Sequence, residues 1–258
     1  MSSREMHSDS DDLHGSPAWE AMQWRAAHRR SALSMPFGLR KIECPVVPGS
    51  GPLLTVGVFA GIHGDEPAGT LAVQELAAWA RRKPAELVGY ALHLFPVCNP
   101  TGQRAGTRHS RTGLDLNREF WNGSDQPEVR ALEAELRAGR YDVIVALHED
   151  ATSDGIYGFA GGTAFSRRLL EPALTAAAAV WPRNMAPEID GFPAENGIIG
   201  GGYRGMLSAP PEQRPRALEV VSKTPALASQ PRRVAATILA VQAMLKSYRA
   251  LLAHAGNL

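Results

Sequence analysis

Two apolar runs in this 258-residue chain lead straight into histidine. Leu53-Leu54-Thr55-Val56-Gly57-Val58-Phe59-Ala60 runs into Gly61-Ile62-His63-Gly64-Asp65-Glu66-Pro67, and Val143-Ile144-Val145-Ala146-Leu147 ends on His148. Short continuous apolar runs bounded by turn residues predict buried strands. Two imidazoles and one carboxylate, each delivered by the end of such a strand, match a His2Glu zinc set that keeps a fourth position open. Gly61, Gly64 and Pro67 break helical continuity, so His63 and Glu66 belong to a loop that can turn tightly enough to converge on one ion. The plainer alternative reads His63 as a loop residue, Glu66 as a carboxylate favoured at a helix N-terminus and His148 as a coincidence of strand end.

Around these runs, strands and helices alternate. Arg40 to Cys44, Leu53 to Ala60, Val88 to Val97, Tyr141 to Leu147, Ile156 to Ala160 and Arg216 to Val221 read as strands. Ala68 to Arg82, Pro127 to Ala138, Ala164 to Val180 and Pro231 to Ala253 read as helices. Ser16-Pro17 is the N-cap and first residue of a further short helix. Asn99 to Trp121 is expected to be a long polar binding loop without regular structure, and a Pro/Gly-rich stretch, with no strand or helix assigned, runs from Val180 to about Pro215. The alternation predicts a mostly parallel or mixed sheet with helices on both faces. One domain over residues 16–258 is expected, behind a polar tail, 1–15, that does not order.

Composition narrows the function classes. A formal net charge of +1 gives no reason to expect nucleic acid or an anionic membrane as partner. Cys44 and Cys98 are too few for a disulfide framework and are expected to be reduced core thiols. No apolar stretch approaches the roughly 18 residues that span a bilayer. Met1 to Gly15 has no apolar core of the secretory kind, so a soluble, cytoplasmic protein is expected.

The ordered set Gly-Ile-His-Gly-Asp-Glu-Pro, Asn99-Pro100-Thr101-Gly102, Gly106-Thr107-Arg108, Gly113-Leu114-Asp115-Leu116-Asn117-Arg118 and Leu147-His148 resembles the zinc carboxypeptidase superfamily, including its succinylglutamate desuccinylase/aspartoacylase branch. The resemblance runs from about residue 53 to 150 and, more faintly, from about 215 to 250. It implies a three-layer α/β/α sandwich around a mixed, largely eight-stranded sheet. It makes His63, Glu66 and His148 the ligands of one zinc ion per chain, and Asp115 the carboxylate that holds the His63 imidazole. By the same resemblance, Asn117 and Arg118 grip a substrate carboxylate, Arg108 stabilises the oxyanion of the scissile carbonyl, and Tyr203 faces the substrate from a glycine-rich segment. Arg104 and Arg111 are solvated, or stand in for Arg108.

A hydrolase of this kind also needs a proton acceptor. Glu219, a charged residue inside the apolar Ala217-Leu218-Glu219-Val220-Val221, matches the family's catalytic glutamate, with Glu149 in reserve. The expected activity is zinc-dependent cleavage of an amide bond beside a carboxylate, on a small peptide or an N-acyl amino acid. The carboxypeptidase form has a slight edge over the deacylase form. A non-catalytic module that binds metal and carboxylate on the same fold is the rival from another class, and Glu219 lying far from the metal would favour it.

Overall fold

The computed structural model describes residues 32–255, so the tail expected over 1–15 and the helix expected from Ser16 lie outside the described residues. The strands are β1 (Ala32–Ser34), β2 (Arg40–Glu43), β3 (Leu54–Ala60), β4 (Tyr90–Phe95), β5 (Val143–Asp150), β6 (Tyr157–Gly161), β7 (Glu188–Ile189), β8 (Phe192–Glu195), β9 (Ile198–Gly200) and β10 (Leu218–Pro225). Between and after them run helices α1 (Pro67–Arg82), α2 (Pro100–Ala105), α3 (Pro127–Gly139), α4 (Arg167–Ala177) and α5 (Gln230–Ala255).

All ten strands join one sheet in the order β1-β2-β4-β3-β5-β10-β6-β9-β8-β7, two strands more than the resemblance implied. Its centre, β4-β3-β5-β10, is parallel. Antiparallel pairs flank it at β2-β4, β10-β6, β8-β9 and β7-β8. β5 is buried along almost its whole length, as a strand covered on both faces must be. On one face, Val56, Val143 and Val145 meet Leu169 of α4 and Val241, Met244 and Leu245 of α5. On the other, Phe59, Phe95 and Ile144 pack with Val129, Leu132 and Leu136 of α3. The Phe59 and Phe95 rings stack there with centroids 4.3 Å apart. The three-layer arrangement follows. Cys44 and Cys98 are free and buried.

Three expectations are corrected. Asn99 to Trp121 is not without regular structure: it holds α2 and a 3-10 turn at Leu116–Arg118. Pro100 opens α2 as its first residue, and Gly106 closes it in the left-handed region at φ +64°. The stretch from Val180 to Pro215 contains β7, β8 and β9. Both β7-β8 and β8-β9 turn on two residues of positive φ, Asp190-Gly191 (+56° and +75°) and Asn196-Gly197 (+50° and +71°), the hairpin chemistry of primed turns. Finally, β5 and β10 run past their expected ends at Leu147 and Val221, to Asp150 and Pro225. His148 therefore lies within β5 rather than just past it. Among the described residues, no helix is long and apolar enough to cross a membrane.

Candidate metal centre

The loop after β3 is held by its neighbours at the β4 exit. Cys98 and Asn99 donate backbone N–H groups to Ala60 (3.0 Å) and Gly61 (2.8 Å). The Asn99 side chain does two jobs: Oδ1 accepts the Gly102 N–H at 2.8 Å, capping α2, and Nδ2 donates to the Ile62 carbonyl at 3.2 Å. Gly64 lies so close to α2 that a Cβ there would sit 2.0 Å from the Gly102 carbonyl carbon. The Gly-Ile-His-Gly and Asn-Pro-Thr-Gly segments thus lock backbone to backbone, and that lock sets where His63 points.

Helix α1 starts immediately after Glu66, with Pro67 as its first residue and no cap from Glu66's own side chain. The cap comes from β5. Glu149 Oε1 accepts the Ala68 N–H at 2.7 Å, and Glu149 also pairs with Arg233 of α5. Since successive strand residues face opposite ways, Glu149 anchors the helical layer while His148 faces the other side. Its reserve role as proton acceptor at the metal is thereby withdrawn.

His63, Glu66 and His148 meet in one cluster. All three are buried, and their donor atoms lie within 4.8 Å of one another. Glu66 bridges the imidazoles, with Oε1 at 2.7 Å from His63 Nδ1 and Oε2 at 2.8 Å from His148 Nδ1. The two Nδ1 atoms stand 3.2 Å apart. Across its ring, His63 Nε2 lies 3.0 Å from Asp115 Oδ1. A proton donated there leaves the Nδ1 lone pair facing the cluster, the tautomer a metal ligand needs. Burial alone would push the Glu66 carboxyl up, but the charge of His148 and hydrogen bonds from both imidazoles hold it down at about 2. Burial lowers His148, which favours its neutral form. Burial would lower His63 as well, but the hydrogen bonds to Asp115 and Glu66 raise it. With both Nδ1 protons given up, an ionised carboxylate and two imidazole lone pairs converging on one point make a donor set that suits zinc, so metal binding there would release protons.

Arg108 stands at the edge of the cluster. Its guanidinium donates to Asp115 Oδ2 at 2.9 Å and lies 3.2 Å from His63 Nδ1. Arg104 and Arg111 are exposed. Asn117 is buried: its N–H donates to Asp115 Oδ1 (2.9 Å), its Oδ1 accepts the Leu207 N–H (2.9 Å), and Nδ2 lies 3.5 Å from His148 Nε2. Its side-chain oxygen is therefore committed to the 200–208 segment. Arg118, next in the chain, donates to the Asn117 carbonyl at 2.8 Å and spreads its guanidinium 4.1 Å above the Tyr203 ring. Tyr203 in turn donates its hydroxyl to the Asp190 carbonyl at 2.8 Å. Arg118 and Tyr203 are thus brought together beside the donor set.

Glu219 is not. In the parallel β5-β10 pair it stands opposite Ile144, and the residue opposite His148 is Lys223. Four residues at about 3.3 Å each leave Glu219 roughly 13 Å along the strand from the level of His148, with Val221 between on the same face. Lys223 was not singled out in the sequence. Its signal was the period of two, which puts Glu219, Val221 and Lys223 on one face with the lysine nearest the carboxyl end. Its Nζ pairs with Asp190 Oδ2 at 3.0 Å, so Asp190 links Lys223 to Tyr203.

Burial pushes the Glu219 carboxyl above the usual carboxylate range, only partly offset by the Ala209 N–H that donates to Oε1 at 3.0 Å. A raised folded-state value means that the protonated form stabilises the fold, and that this contribution is lost as pH rises from 4.5 through the folded value. Glu219→Gln should therefore melt higher than the native chain at pH 7, with the gap closing below pH 4.5. Thermal unfolding of both proteins in chelator checks this; an equal gap at both pH values would remove the burial cost.

A family model described as the succinylglutamate desuccinylase/aspartoacylase catalytic domain matches residues 52–184. Over 109 residues the chain is 32% identical to Carboxypeptidase SOL1 of Arabidopsis thaliana, a match that spans 36% of this chain and 22% of that protein. The chain thus matches about a fifth of that relative's length. Among solved structures, a candidate metallopeptidase of Shewanella baltica superposes with a TM-score of 0.69 at 23% identity, covering 87% of this chain and 90% of that one. A metallo-carboxypeptidase of Pseudomonas aeruginosa, in complex with (2-guanidinoethylmercapto)succinic acid, superposes at 0.66 with 17% identity, covering 91% and 69%. At these identities the structural likeness is one of fold.

Proposed function

The chain belongs to the succinylglutamate desuccinylase/aspartoacylase catalytic-domain family, and from that membership we propose a zinc-dependent hydrolase that cleaves an amide bond beside a substrate carboxylate, in the manner of a metallocarboxypeptidase. The observation that carries it is the convergence of His63, Glu66 and His148, with Arg108 at its edge and Arg118 alongside. When bound there, zinc supplies Lewis acidity. Asp115 orients His63 through Nε2 and holds Arg108 through its other oxygen. Arg108, its side chain 40% exposed, has N–H groups to offer the oxyanion that develops on the scissile carbonyl. Arg118, backed by Tyr203, presents its remaining N–H groups to the substrate carboxylate. Asn117 acts on the substrate indirectly, by fixing the 200–208 segment that carries Tyr203. The dicarboxylate bound by the Pseudomonas aeruginosa protein is consistent with an acidic substrate end.

The same residues serve an N-acyl amino acid, and a deacylase is the alternative within this reading. A second reading, a module that binds metal and carboxylate without turnover, is favoured by the register of β10: the residue level with His148 is Lys223, not a carboxylate, and Glu219, the expected proton acceptor, stands four residues away along the strand.

Turnover assays on matched substrates separate these readings. Peptides and N-acyl amino acids with a free carboxylate should be cleaved, and their amides should not. Arg118→Lys should lose roughly tenfold to a hundredfold in kcat/KM, the worth of charge-assisted hydrogen bonds in a geometry that a lysine cannot reproduce. Equal turnover of acid and amide by the native protein would sink the carboxylate assignment. Tight binding without turnover of any substrate would make the second reading the correct one.

A further inference from the structure

The β7-β8 hairpin lies at the far end of the sheet, yet its tip reaches side chains beside the metal centre. Asp190, in the left-handed region at φ +56°, is at that tip. Its two carboxylate oxygens serve different elements. Oδ2 pairs with Lys223 of β10 at 3.0 Å and lies 3.3 Å from the hydroxyl of Tyr157 on β6, a hydroxyl that also meets Asp150. Oδ1 lies 3.0 Å from the Tyr203 hydroxyl, and the Asp190 backbone carbonyl accepts the same hydroxyl at 2.8 Å. Phe192, two residues further along the hairpin, meets the Tyr203 ring edge to face with centroids 4.8 Å apart. One hairpin thus grips Tyr203 at its hydroxyl and at its ring. That ring lies 4.1 Å beneath the Arg118 guanidinium, whose bond to the Asn117 carbonyl engages a single N–H.

We propose that Asp190 is a positioning residue for the substrate carboxylate: by holding Tyr203 it sets the plane of the Arg118 guanidinium. The inference rests on the reading that Arg118 takes that carboxylate. A guanidinium grips a carboxylate through paired N–H groups in one plane, so its affinity depends on orientation as well as distance. A ring stacked beneath it fixes that plane only if the ring is itself fixed. The Tyr203 side chain can swing about its two torsions unless its far end is tied, and Asp190 ties that end. Lys223 secures the tie, since it balances the Asp190 charge and holds the hairpin tip against β10. Among the described residues Asp190 makes no hydrogen bond or ion pair with His63, Glu66 or His148, so its effect on the site passes through Tyr203 and Arg118.

The test uses the zinc-loaded chain and two probes, N-acetylalanylleucine and its C-terminal amide. Kd for each is read by calorimetry, and zinc content by elemental analysis. The native protein should bind the acid roughly tenfold to a hundredfold tighter than the amide, the worth of charge-assisted hydrogen bonds. Asp190→Ala should cut that preference roughly fivefold to tenfold, the scale of a cation–π contact that has lost its geometry, with amide affinity and zinc content unchanged. Asp190→Asn keeps an acceptor for the Tyr203 hydroxyl and tolerates the left-handed turn, so it should retain most of the preference. In an Arg118→Met background, Asp190→Ala should have no further effect. If Asp190→Ala folds poorly, Tyr203→Phe cuts the same tie from the other side and must lose the preference likewise. A preference left intact, an equal loss of acid and amide affinity, or the same loss repeated in the Arg118→Met background would each overturn the inference and leave the carboxylate reading standing. Equal native affinities, or binding of neither probe, would remove that reading and this inference with it.

Discussion

His148→Ala should reduce bound zinc from close to one equivalent per chain to a small fraction of it after dialysis. The three donors are buried, their binding atoms lie within 4.8 Å of one another, and Glu66 bridges both imidazoles. Removing His148 leaves two donors, one of them the Glu66 carboxylate, whose charge one imidazole alone must balance. Loss of a group that merely orients a ligand typically costs 10–100-fold in metal affinity, so Asp115→Asn should show that smaller loss and His148→Ala a larger one. Elemental analysis of the dialysed proteins, with unfolding in chelator as a control for the fold, reads both. Undiminished zinc in His148→Ala would mean that a different set of residues holds the metal.

Gly64→Ala should be among the most damaging single-methyl additions available in this chain. Its new Cβ would lie 2.0 Å from the Gly102 carbonyl carbon and 2.3 Å from the Gln103 nitrogen, all backbone atoms that no rotamer change can move away. The His63 loop and α2 would have to part, breaking the Asn99 bond to Ile62 on the way. A stability loss of more than about 3 kcal/mol is expected from strain of this kind, together with weakened zinc binding, because His63 moves with the loop. Gly51→Ala is the control: nothing lies within 4 Å of its added Cβ, so it should be close to neutral. Denaturant unfolding of the two variants gives the comparison, and native-like stability in Gly64→Ala would mean the segments are not locked.

The local elements were largely legible because their causes are local. β3 and β5 announced themselves as continuous apolar runs, α1 by its Pro67 start and apolar spacing, and α5 by its long amphipathic pattern. The donor set was legible for the same reason: each member sits in or beside a strand strong enough to recognise alone. The hairpins through Asp190-Gly191 and Asn196-Gly197 carried a turn signal, but strands of two to four residues hold too little alternation to stand out from Pro/Gly-rich surroundings. α2 was missed for a similar reason, being six residues long and named only by its caps.

By itself, then, the sequence determined which residue types could hold a metal and which strands would bring them to one edge of a sheet. What it left open was height along a neighbouring strand. The period of two puts Glu219, Val221 and Lys223 on the face His148 uses, yet any of the three could have stood beside the histidine. That choice belongs to the hydrogen-bond register between β5 and β10, a pairing of segments some seventy residues apart in the chain, set by how the two strands and the layers over them pack. The register brought Lys223 level with His148 and left Glu219 four residues below, where no pattern in its own segment could have put it.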